Sequence, residues 1–168
     1  MQRARVALVA LALTGVGLAV PAPPAVAAGT WRWPAVGPVL RGFEAPEHPY
    51  GSGHRGIDIG ASAGTVLVAP AAGTVRFAGP VGGRLFLTIE HAPGLRSTLS
   101  FLAAVSVRAG DVVVPGQPVA VSGRGHPDAT VDHVHLGVRV GDTYVDPLTF
   151  LEPLDLRGLL RLAPWDPG

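Results

Sequence analysis

From about Val39 to Pro153 the chain is a succession of short Val-, Leu- and Ile-rich runs cut by Gly, Pro and Asp: GTVLVAP, GTVRFAGP, RLFLTIEH, VSVRAGDVVVPGQPVAVSG, DHVHLGVRV and DTYVDP. Branched apolar residues suit a half-buried pleated surface, and turn residues at this spacing leave room for strands only. The pattern predicts an all-β domain, an antiparallel sandwich or open barrel, over residues 39–153. No amphipathic helix is visible within it. Asp146-Pro147 is expected to cap a short helical turn through Phe150-Leu151, with Asp as N-cap and Pro at the first helical position. Asp155 to Leu162 is expected to form another turn of helix, within a C-terminal tail (154–168). Residues 28–38 read as an extended lead-in whose Trp31 and Trp33 can pack onto the domain.

The first 27 residues have a different character. Arg3 and Arg5 precede an apolar run from Val6 to Val20, and Ala25-Val26-Ala27 offers a small-x-small cleavage site. This is the layout of a secretory signal peptide. The run is shorter than the roughly 20 residues of a spanning helix and ends in prolines, so no stable membrane anchor is expected. The mature protein is expected outside the cytoplasm. The chain has no cysteine, which excludes disulfides, thiolate metal sites and a lipidated N-terminus. Its formal net charge is +1, and removing the two leader arginines takes it to −1. That balance gives no electrostatic case for nucleic acid.

Chemistry resides in the six histidines. In Asp132-His133-Val134-His135-Leu136-Gly137-Val138-Arg139-Val140, strand alternation places Val134, Leu136, Val138 and Val140 on an apolar face and His133, His135 and Arg139 on the other. Two imidazoles then point the same way, roughly 7 Å apart along the strand. They are either a metal ligand with a neighbouring base or a pair of solvated surface histidines. The second feature is His54-Arg55-Gly56-Ile57-Asp58, inside GSGHRGIDIG, where glycines let the backbone turn two side chains together. Imidazole and carboxylate are good zinc ligands, and a catalytic zinc takes three of them with one position left for water. Taken alone, His54 is equally a loop residue and Asp58 a turn cap.

H-x-x-x-D followed about 75 residues later by H-x-H resembles the LytM/lysostaphin-type zinc metallopeptidases. The flanking text agrees: HRGIDIGASAGTVLVAPAAGTVRFAG resembles the family's first zinc segment, IEHAPGLRSTLSFL the strand–turn–strand after it, VSVRAGDVVVPGQPVAVSGRG the paired hairpins, and DTYVDPLTFL the usual ending. The similarity covers roughly Val39 to Leu151. It implies the duplicated hybrid motif fold, Zn2+ held by His54, Asp58 and His135, and His133 as the base that orients or deprotonates water. The implied substrate is a peptide bond in peptidoglycan stems or cross-bridges, opened without a covalent acyl-enzyme.

One departure bears on turnover. The family carries a second catalytic histidine in a Y-x-H-L segment; the matching stretch here is Leu99-Ser100-Phe101-Leu102, with Phe101 at that histidine's position. Phenylalanine cannot hydrogen-bond to a tetrahedral intermediate, and losing one such group costs about 10²–10³ in rate. The other candidates carry less. His91 is assigned to a turn, His48 to a loop at the cleft rim, and His126, in GRGHPDAT, to a loop that can line the groove. Arg139 can meet a substrate carboxylate or lie solvated, and Tyr144 and Asp146 read as structural.

A non-catalytic alternative keeps the fold: a zinc-binding wall module, or an activator of another wall hydrolase. The hairpin VRAGDVVVPGQPVAV also resembles biotinyl and lipoyl carriers, but the chain has no lysine to carry the cofactor. Sugar phosphotransferase carriers share the architecture and paired histidines, yet work in the cytoplasm, against the leader.

Overall fold

The computed structural model describes residues 30–48, 51–127 and 129–153. The expected leader (1–27), the first residues of the lead-in and the tail (154–168), with its expected helical turn, lie outside them. Among the described residues are ten strands: β1 (Val39–Arg41), β2 (Ile57–Gly60), β3 (Val66–Val68), β4 (Gly73–Val81), β5 (Arg84–Ala92), β6 (Leu95–Val105), β7 (Val112–Val113), β8 (Pro118–Ser122), β9 (His133–Val140) and β10 (Thr143–Val145). They form one connected sheet in the order β1-β2-β9-β6-β5-β4-β7, with β10 on β9, β8 on β6 and β3 on β8. The ladders are antiparallel, and the sheet does not close into a barrel. Among the described residues helix is confined to a 3-10 turn, Pro147–Thr149, capped as the sequence predicts: Leu148 N–H donates to Asp146 Oδ1 at 2.9 Å.

The long central strand β6 changes partner part-way. Leu95–Ser100 lie beside β9, whereas Leu102, Ala104 and Val105 lie beside β8. On its other side Phe86 pairs with Ser100 and Leu85 with Leu102, which leaves Phe101 as an extra residue between them. Phe101 adopts φ 62, and among the described residues it is the one non-glycine with positive φ. A bulge of this kind bends the strand and re-aims a side chain. The inward alternation Ser97, Leu99 accordingly resumes at Leu102, and Phe101 faces away from the core.

The core is built from the branched residues of the strands. Ile57, Ile59, Leu67, Leu87, Ile89, Val134, Leu136 and Val138 are fully buried, each side chain contributing about 1.5–3 kcal/mol of transfer free energy. Val140, expected on the same face as Val134, is 51 % exposed instead. It lies at the end of β9, opposite Leu95 and Thr143 in the sheet, past the packed interior. The lead-in is fastened to the domain. Trp31 is fully buried, its backbone N–H donates to Phe150 O at 2.8 Å, and Trp33 Nε1 donates to Glu152 O at 2.8 Å.

His91 is not in a turn. It lies on β5, in step with inward-facing Leu87 and Ile89, because the hairpin turn begins only after Ala92. Its Nδ1–H donates to the Ala72 carbonyl at 2.9 Å, so Nε2 accepts from the Ser97 hydroxyl at 2.7 Å; the ring packs on Trp31 with centroids 4.4 Å apart. Burial pushes its pKa down, only partly offset by the Ala72 hydrogen bond. The folded chain therefore holds fewer protons here than the unfolded chain. This contribution is complete above about pH 6.5, the free imidazole value, and declines as pH falls through the window below it. The melting temperature is expected to fall between pH 7.5 and 5.5, and less steeply in His91→Phe, as differential scanning fluorimetry across that range would show.

Candidate active site

β2 and β9 run side by side with Asp58 opposite His135 and Gly60 opposite His133. Residues directly opposite in an antiparallel pair hold their Cβ atoms about 5 Å apart, so the register alone brings the carboxylate to the imidazole. His54 precedes β2 and is held by a two-way backbone bridge to Glu44, N–H to O at 2.9 and 3.0 Å. Three donor atoms converge: His54 Nε2 lies 3.1 Å from Asp58 Oδ1 and 3.1 Å from His135 Nδ1, and the last two are 2.9 Å apart. His54 and Asp58 are each 4 % exposed.

The tautomers follow from carbonyl partners, which can only accept. His54 Nδ1–H donates to Gly42 O at 2.7 Å and His133 Nδ1–H to Val131 O at 2.9 Å. Each ring then presents a lone pair from Nε2. At His54 that lone pair faces a carboxylate oxygen, an arrangement that a cation between them relieves. The triangle's edges are close to the roughly 3.3 Å expected between ligand atoms about 2.0 Å from a tetrahedral zinc. The donor set therefore fits a metal ion of that preference. Burial pushes the Asp58 carboxyl up, but the hydrogen bond from His135 and the nearby His54, His135 and His133 imidazoles outweigh it and hold the group below the ordinary carboxylate value.

Around this triangle lie two further imidazoles and a phenyl ring. His133 Nε2 is 3.9 Å from Asp58 Oδ2, and the ring is 4 % exposed, so it is not a solvated surface histidine. His126 Nε2 is 3.7 Å from Asp58 Oδ1, and His126 lies within 4.8 Å of the His54, Asp58 and His135 ligand atoms. Sequence reasoning placed His126 only at a groove; its position in a glycine-rich turn seven residues before His133 was the available signal. The Phe101 ring lies 4.3 Å from that of His126 and 6.3 and 6.4 Å from those of His133 and His135.

Arg139 shares the histidine strand but turns to its own hairpin, bonding Asp142 at 2.7 Å and stacking over Tyr144. It is paired rather than presented to a ligand carboxylate. His48 lines a recess of about 300 Å³ with Pro46, Arg55 and Tyr144, to which His54, Asp58 and His135 contribute no wall.

Glycine makes the close approach possible at one point. A Cβ on Gly56 would run into the Leu136 carbonyl oxygen and come within 2.6 Å of His135 Nε2. Gly56→Ala is expected to lower stability by about 1–3 kcal/mol through overpacking and to displace the His135 ring. Urea unfolding, alongside metal titration, would show both effects.

The chain is similar to known proteins. An uncharacterised protein of Mycobacterium tuberculosis is 33% identical over 132 residues, covering 74% of this chain and 53% of that protein. The murein hydrolase activator NlpD of Escherichia coli is 33% identical over 124 residues, covering 73% and 31%. The chain thus spans about half or less of the length of these relatives. Among solved structures, the antimicrobial peptidase lysostaphin from Staphylococcus simulans superposes with a TM-score of 0.63 at 27% identity, covering 74% of this chain and 55% of that one. A zinc-containing peptidase from Vibrio cholerae gives 0.61 at 25% identity, covering 74% and 41%. The profile of peptidase family M23 matches residues 52–147, more than half of the chain, and the chain belongs to that family.

Proposed function

We propose that this chain is an extracytoplasmic zinc endopeptidase that hydrolyses peptide bonds in peptidoglycan stems or cross-bridges. The observation that carries the reading is the convergence of His54 Nε2, Asp58 Oδ1 and His135 Nδ1 within 3.1 Å of one another, beside the lone pair of His133. These three residues would hold the zinc, which when bound supplies a Lewis acid that polarises the scissile carbonyl and eases deprotonation of water. The remaining chemistry belongs to the chain. Gly42 fixes the His54 tautomer; Val131 fixes that of His133, so the ring's basic lone pair is on Nε2, where its partner is a long, 3.3 Å hydrogen bond from the His126 backbone N–H that water can displace. In that role His133 takes a proton from the attacking water and returns it to the amine as the C–N bond breaks. The leader motif supports export, and among the described residues no helix is long and apolar enough to cross a membrane.

The test is digestion of purified sacculi. Zinc-loaded protein is expected to release soluble fragments with new free amino groups, and a chelator to abolish the release. No release by the loaded protein would remove the hydrolase reading. Phe101, together with the likeness to a murein hydrolase activator, favours a second reading as an activator of another wall hydrolase. That reading predicts no release by this chain alone, and faster release by another wall hydrolase in its presence than by that hydrolase alone.

A further inference from the structure

We propose that His126, carried by the loop between β8 and β9, does the work for which β6 offers only Phe101: its Nε2–H donates a hydrogen bond to the carbonyl oxygen as that oxygen gains charge. The proposal deepens the peptidase reading and rests on it.

Four observations converge on His126. Its Nε2 is buried, lacks a hydrogen-bond partner among the described atoms, and points at the donor triangle. A buried, unpaired polar nitrogen costs about 1–3 kcal/mol, so such a group asks for a ligand. Its distance from Asp58 Oδ1, 3.7 Å, and its separations from the other ligand atoms, up to 4.8 Å, exceed the roughly 3.3 Å of a fourth tetrahedral corner. They leave room for an oxygen between the ring and the triangle. Third, the ring is set in place from two sides. Phe101 packs against it at 4.3 Å, and its own backbone N–H donates to His133 Nε2 at 3.3 Å. Fourth, the residue before it is fitted to the base: Gly125 has φ +92, and a Cβ there would come within 2.5 Å of His133 Nδ1. Loop, base and ring thus form one packed unit.

The step balances without any added reagent. The water oxygen bonds to the carbonyl carbon, and its proton passes to His133 Nε2. The C–N bond then breaks as that proton moves to the leaving nitrogen. His126 donates a hydrogen bond throughout and transfers no net proton.

The experiment uses the full mature chain with wild type, His126→Ala, His126→Gln and the double variant His126→Ala/Phe101→His. Histidine tolerates positive φ better than most residues, so position 101 can accept it. Three quantities are measured: zinc affinity by chelator competition, affinity of the zinc-loaded protein for inorganic phosphate as a tetrahedral oxyanion, and kcat and KM on sacculi. His126→Ala is expected to keep zinc affinity within threefold. It should weaken phosphate binding about tenfold and lower kcat by about 10²–10³ with little change in KM. His126→Gln, which keeps a side-chain N–H, should recover part of the loss, and Phe101→His part of it from the other strand. Unchanged phosphate affinity and kcat in His126→Ala would overturn the proposal. So would a hundredfold loss of zinc affinity, which would make His126 a ligand. Wild type that binds zinc but opens no wall bond would sink the hydrolase reading alone, with the phosphate comparison still deciding His126. Wild type that binds no zinc would sink both.

Discussion

Purified protein is expected to take up one zinc per chain, and His54→Ala, Asp58→Ala and His135→Ala are each expected to lose it at micromolar metal. The three ligand atoms already lie about as far apart as a tetrahedral ion requires, so little reorganisation opposes binding. Removing a group that merely supports a ligand costs about 10–100-fold in affinity; removing a ligand from a set of three should exceed that. Asp58 should show the largest loss, because it supplies the carboxylate charge of the triangle and stands in contact with both imidazoles. Metal analysis after dialysis, with chelator competition for the affinity, measures all three. Zinc content equal to wild type in any of them would remove that residue from the ligand set.

The second large effect concerns turnover without metal loss. His133→Ala is expected to lower kcat on sacculi by about 10²–10⁴, the usual contribution of a positioned general base, while zinc stoichiometry stays at one. The separation follows from geometry. His133 stands 3.9 Å from the outer oxygen of Asp58, a neighbour of the triangle rather than a corner of it. Removing the ring also frees Gly125 and the His126 backbone N–H, so His133→Gln, which fills the space without a base, is the better control. Full activity in either variant would show that another group takes the proton.

The strand pattern was legible because branched apolar runs and turn residues alternate so regularly; the antiparallel sheet and the Asp146 cap follow from them. The coming together of His54, Asp58 and His135 was legible through the family resemblance that the two motifs carry together, since each alone also suited loop and surface residues; the Asp58–His135 register gives the physical reason. What the sequence hid was of two kinds. His91 is an inward residue of an alternating strand, but its match to a turn position of the family, just before Ala-Pro-Gly, made it read as a turn. His126 comes to the site through a loop, and a loop has no period from which a side chain's direction can be inferred. Phe101 stands between these cases. Its place in the motif was visible, but the bulge that aims it at the histidines appears only when β6 is seen to pair with β9 on one stretch and β8 on the next.

That exchange of partners has an engineering consequence. The segment between β8 and β9 leaves the sheet where β6 lets go of one neighbour and takes up another. Its ends are pinned by Gly123 N–H to Phe101 O at 2.9 Å and Ala61 N–H to Asp132 O at 3.1 Å. Residues inserted beyond His126 and short of Asp132 lengthen a span whose described residues carry no ladder hydrogen bonds, so no strand need slip and the packing of Gly125 and His126 on His133 is kept. A graft here can remodel the wall of the cleft, and with it the choice of bond, while the ion-holding corner on β2 and β9 stays as it is.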